Sequence, residues 1–130
     1  MVGRYTKSLY LALLYVNEGV SEQMIAGQLE GFIKSLGGTQ AFQMICSVRG
    51  EILHNPNYSN ILKEGDLLLI DAGAESNISH YGCDITRVFP VSGKFSAVQK
   101  SIYQIVLEAN KKSFGMLKPG VFFRDVLIAA

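Results

Sequence analysis

The chain has 130 residues, enough for one ordinary domain, and 48% of them are apolar, so it can bury a core and is not disordered. Twelve basic and eleven acidic residues leave a net charge of +1. That balance excludes an electrostatic footprint for nucleic acid or for an anionic membrane surface.

Arg4 and Lys7, followed by the apolar run from Leu9 to Val16, look faintly like a leader. Val16-Asn17-Glu18-Gly19-Val20 offers no small-x-small cleavage site, so export is not expected. No run approaches the roughly 18 apolar residues that span a bilayer. Cys46 and Cys83 are the only cysteines, too few for a disulfide framework. A reducing, cytoplasmic location is the simpler expectation.

Tyr5 to about Val16 reads as a helix closed by Asn17-Glu18-Gly19. Ser21 to Leu36 reads as a second. Met24, Ile25, Leu29, Phe32, Ile33 and Leu36 recur on one face, Ser21 is placed to cap its start, and Gly37-Gly38 is a natural stop. Ala41 to Val48 is strand-like, and Arg49 to Asn60 is loop-rich around Asn55-Pro56-Asn57. Leu67 to Ala72 and Tyr81 to Val88 read as strands joined by the polar stretch Glu75-Ser76-Asn77-Ile78-Ser79. Ser96 to about Leu117 is a long helix with Val98, Ile102, Ile105, Val106 and Ala109 on one face, ended by Pro119-Gly120. The final apolar run, Val126 to Ala130, has no cap and no basic last turn, which reads as a helix cut short.

The chemistry concentrates in two blocks. Asp71 ends the run Leu67-Leu68-Leu69-Ile70, and Asp84 follows thirteen residues later within Tyr81 to Phe89. Aspartate is depleted in strands, and burying an unpaired carboxylate is costly. A hairpin would bring the two carboxylates side by side, where they repel unless a proton or cation intervenes. Hard divalent cations prefer such oxygen ligands, so the pair reads as half of a metal site. Thr86 shares a strand face with Asp84 and is placed to orient that carboxylate; Arg87 is either a supporting residue or a plain surface charge. Cys83 and Tyr81 fall on the opposite face and are expected to pack in the core. Cys46, His54, His80 and Cys83 fit zinc spacings poorly. His80 reads as a solvated turn residue.

Asp71-Ala72-Gly73 and Gly82-Cys83-Asp84-Ile85-Thr86-Arg87-Val88-Phe89-Pro90-Val91-Ser92-Gly93-Lys94-Phe95 together resemble the aminopeptidase P and prolidase group of metallopeptidases. Ile52-Leu53-His54 and Lys63-Glu64-Gly65-Asp66 extend the resemblance, which runs from about Lys7 to the end. It implies an α+β "pita-bread" (creatinase/aminopeptidase-like) fold, with helices on a mostly antiparallel sheet. Residues 1–130 would be roughly the first half of that catalytic domain. It implies two metal ions, manganese first with zinc or cobalt as alternatives, held by two aspartates, one histidine and two glutamates. Asp71 and Asp84 match the aspartates; the other three are expected beyond Ala130. The hairpin tip is expected to exceed the family's usual length by an even number of residues, which keeps both carboxylates on one face.

The same resemblance makes His54 a catalytic residue that contacts substrate. The activity implied is hydrolysis of Xaa-Pro peptide bonds by a water activated between two metals, with a proline-containing peptide as substrate. The alternative is a non-catalytic module of the same fold that binds peptides or proteins. Gly19 and Gly120, about a hundred residues apart, each follow a helix and precede another apolar pattern, as in a two-copy architecture. A half of such a fold is expected to leave an apolar face open and to form a homo-oligomer, with metal affinity weak and activity absent in the chain alone.

Overall fold

The structure is a computed structural model, and it describes Lys7, Tyr10, Leu11 and residues 13–130. The expected first helix therefore lies largely outside the described residues. Lys7, Tyr10 and Leu11 have helical backbone, and Leu13–Tyr15 form a 3₁₀ turn. The chain divides into two compact units, Met1–Lys94 and Phe95–Ala130.

The first unit is a helix on a sheet. Helix α1 spans Glu22–Ser35. Ser21 caps it by accepting from the Met24 amide at 3.1 Å, satisfying one of the donors a helix start leaves unpaired. Gly37, at φ 78°, turns the chain out of it in the left-handed conformation that glycine adopts without a Cβ clash. Ile25, Ala26, Leu29 and Ile33 are buried, whereas Met24 is half exposed and lies off the buried stripe.

Strands β1 (Gly38–Gln40), β2 (Ile45–Ser47), β3 (Leu67–Ser76) and β4 (Gly82–Pro90) form one antiparallel sheet. β1 and β2 both pair with one edge of β3, and β4 pairs with the other. The sequence suggested a single strand from Ala41 to Val48. Instead Gln40 pairs with Ala74 and Ile45 with Asp71, so four residues on one side face two on the other. The surplus breaks the strand at residues 41–44. β3 runs on to Ser76, through residues expected to be the connection, because β1 and β4 both pair with its end.

Alternation along β3 separates two faces. Leu68, Ile70 and Ala74 are buried together with Ile25, Leu29, Ile33, Met44, Cys46, Leu62 and Val91. Cys83 packs against this core as expected. Tyr81 does not: it is 78% exposed, because it precedes the first residue of β4 and the sheet's alternation does not reach it.

In the second unit, α2 (Ala97–Met116) begins in a capping box, Ser96 with Gln99, and α3 spans Phe123–Ala129. Val98, Ile102, Ile105, Val106, Phe122, Phe123, Leu127 and Ile128 are all exposed. Among the described residues no helix is long and apolar enough to cross a membrane.

Candidate metal centre

Asp71 lies opposite Thr86, and Asp84 lies opposite Gly73, on adjacent antiparallel strands. The aspartates are therefore diagonal neighbours two positions apart in register, with side chains on the same sheet face, away from the buried residues of β3. Partial desolvation of its carboxyl, then the charge of Asp71, then hydrogen bonding to Asp71 push Asp84 above the ordinary value of 3.8. Two oxygen-donor groups that repel each other unless a positive species lies between them are a donor set suited to a hard divalent cation.

Thr86 Oγ1 donates to Asp71 Oδ1 at 2.8 Å. The hydroxyl faces the aspartates, but it serves Asp71 rather than Asp84, because the strand register sets Thr86 directly across from Asp71. Arg87 pairs with Ile70 in register, on the other face, and its guanidinium donates to the Thr86 carbonyl at 2.7 Å. It is exposed and touches neither carboxylate through any described hydrogen bond.

Gly73 lets this face close up. A Cβ there would sit 2.3 Å from the Cys83 carbonyl and 2.4 Å from the Phe42 ring. Phe42, in the break between β1 and β2, thus lies over the glycine that faces Asp84. A cleft of ≈ 370 Å³ is lined by Phe42, Gln43, Ile45, His54, Asp71 and Asp84. His54 reaches it from the 49–59 loop, with its backbone at φ 52°, a conformation uncommon outside glycine. His80 stays apart at the hairpin tip, with its Nδ1 2.8 Å from Glu75 Oε1. The described residues bring no group of three or more His, Cys, Asp or Glu together around one cation, so Cys46, His54, His80 and Cys83 form no zinc site.

Sequence reasoning missed Phe42, Gln43 and Ile45. They lay within an expected strand, and nothing in their composition announced the break that turns them toward the aspartates.

A helix-backed antiparallel sheet with paired aspartates on its open face is the architecture of part of a pita-bread metallopeptidase domain. The chain superimposes on *Pseudomonas aeruginosa* aminopeptidase PepP with a TM-score of 0.90 and 35% identity, covering 98% of this chain and 30% of that one. For proline aminopeptidase P II from *Yersinia pestis* the TM-score is 0.87 and the identity 36%, covering 92% and 28%. The model of metallopeptidase family M24 matches residues 2–130, and the chain belongs to that family. Among curated relatives, Xaa-Pro aminopeptidase 3 of *Dictyostelium discoideum* is 49% identical over 118 residues, 88% of this chain and 22% of the relative. Xaa-Pro aminopeptidase of *Haemophilus influenzae* is 37% identical over 123 residues, 73% and 28%. Xaa-Pro dipeptidase of *Pyrococcus horikoshii* is 35% identical over 123 residues, 92% and 34%. The chain thus spans about a fifth to a third of the length of these relatives.

Proposed function

We propose that this chain is part of a metal-dependent exopeptidase that cleaves Xaa-Pro peptide bonds, with two divalent ions, manganese first among them. The observation that carries the proposal is the Asp71–Asp84 pair, diagonal neighbours on adjacent strands, in a cleft it shares with His54. The names of the relatives support the substrate class.

Asp71 and Asp84 would hold the ions, and Thr86 fixes the orientation of Asp71. When bound, such ions supply Lewis acidity and lower the pKa of a coordinated water. His54 sits where a ring nitrogen can hydrogen-bond a peptide in the cleft. Phe42 and Ile45 give that cleft an apolar wall, suited to an apolar side chain or a proline ring.

The family's remaining ligands, one histidine and two glutamates, are proposed to lie in a further part of the protein, and residues 1–130 alone are proposed to be inactive. The exposed apolar residues of α2 and α3 support self-association of the chain as a homo-oligomer. The two free cysteines support a cytoplasmic location.

Release of the first residue from an Xaa-Pro peptide, assayed with Mn²⁺ in the whole protein, tests the function. Turnover is expected, and Asp84→Ala is expected to abolish it. Peptide binding without turnover would favour a non-catalytic module instead.

A further inference from the structure

The carboxylate of Glu22 is fully buried at the first position of α1, far in sequence from the cleft. It has no described ion pair, and its partners are N–H groups. The Val48 amide donates to Oε1 at 2.7 Å, and the Asn60 amide to Oε2 at 3.1 Å. The Asn60 side-chain amide donates to both oxygens at 3.0 Å. The backbone adds to this, since Glu22 N donates to Asn60 O at 3.0 Å.

Val48 and Asn60 are the two ends of the 49–59 loop. One buried carboxylate therefore ties both ends of that loop to one point on a helix that is itself packed against the sheet. Acceptance of charge-assisted hydrogen bonds offsets the cost of burying such a group, and it also fixes where the donors sit.

His54 lies near the middle of this loop, at φ 52°. Inside the loop, Ser47 Oγ accepts from the Arg49 amide at 3.0 Å and from Asn55 Nδ2 at 3.4 Å, and Asn55 Oδ1 accepts from the Asn57 amide at 3.0 Å. These short-range bonds shape the loop, but only Ser47 among these partners lies outside it. The Glu22 contacts span 26 and 38 residues and join it to the helix.

We infer that Glu22 is a positioning residue for His54, acting through the loop ends at Val48 and Asn60. This rests on the proposal that His54 meets substrate beside Asp71 and Asp84. A glutamate at the start of a helix would otherwise serve only to complement the helix dipole. An exposed carboxylate does that equally well, so the dipole does not account for the burial of Glu22 or for its long-range partners.

The chain has two histidines, which makes the test direct. In Glu22→Gln an amide NH₂ replaces one acceptor oxygen and faces N–H donors. The His54 ring resonances are expected to shift and broaden, and the Val48 and Asn60 amides to lose protection from hydrogen exchange. The His80 ring, held by Glu75 at the hairpin tip, is expected to stay where it was. If Glu22→Gln does not fold, Asn60→Ala carries the test. It removes only the side-chain donor, and it should move His54 the same way by a smaller amount. His54 resonances unchanged in whichever variant folds, or moved together with those of His80, would overturn the inference.

Mn²⁺ added to the whole protein tests the metal centre separately. Paramagnetic broadening of Asp71, Asp84 and His54 supports it. No broadening there would undo the metal centre, while the response of His54 to Glu22 would still be read on its own.

Discussion

Thr86 and Asp71 are joined across β3 and β4 by a 2.8 Å hydrogen bond, and this bond distinguishes two otherwise similar carboxylates. Asp71 accepts from that hydroxyl, whereas Asp84 has no such described donor. Asp84 faces Asp71, and desolvation and the Asp71 charge push its carboxyl upward. A cation placed between the two would relieve that repulsion.

The metal-free chain should accordingly respond to pH through Asp84. Its folded pKa is raised above the ordinary 3.8, so its stabilising contribution is full below that value and is lost as pH rises through the elevated pKa. Asp84→Asn should stabilise the metal-free chain at neutral pH, and the gain should vanish near pH 4 and below. Solvent screens this exposed residue, so the gain is expected to stay under about 1 kcal/mol. Denaturant melts at several pH values measure it. With Mn²⁺ present, the wild type should gain stability that the variant lacks.

Cys46 is fully buried, and burial followed by the charge of Glu22 pushes its thiol up to about 12. At pH 8 only about one molecule in ten thousand would carry the thiolate, the reactive form. An alkylating reagent should modify Cys83, which is only half-buried, in the folded chain and Cys46 only after unfolding. Peptide mapping after timed labelling distinguishes the two.

Gly73→Ala should destabilise the chain by about 1–3 kcal/mol, the range typical of overpacking. The added methyl meets both a backbone carbonyl and the Phe42 ring. Removing the ring in a Gly73→Ala, Phe42→Ala double variant should not restore stability, because the Cys83 carbonyl still blocks the methyl. Chemical denaturation of the single and double variants gives the comparison.

Leu29, 1% exposed on the buried face of α1, anchors the helix to the sheet. Leu29→Ala should cost about 2–5 kcal/mol. Met24→Ala, one turn earlier but half exposed, should cost much less. Thermal melts of the two variants test whether the buried stripe is the one described.

Where side-chain period and local punctuation decide the structure, the sequence was legible. Ser21 and Gly37 bound α1, Ser96 marks the start of α2, and alternation around Asp71 and Asp84 predicted one shared face. The sequence was less legible where the partner strand decides. β3 extends to Ser76 because two strands meet its end, and the break at residues 41–44 comes from a register mismatch that no local signal carries. Thr86 was assigned to the right face but to the wrong carboxylate, because face follows from parity and partnership from register. Glu22 is a plain helix-start acid in sequence, and only the chain's return at Asn60 shows what it holds.

Because both ends of the 49–59 loop are held at one carboxylate, its exposed middle around Ile52 and Leu53 is a closed ring hung from a fixed point. A closed loop loses little on growing: doubling its length costs only about 0.6 kcal/mol in closure entropy. Residues inserted beside Leu53 should therefore cost the domain little, whereas Tyr58, which packs against the core and donates to the Met44 carbonyl, has to stay. What such insertions put at risk first is the aim of the imidazole at residue 54.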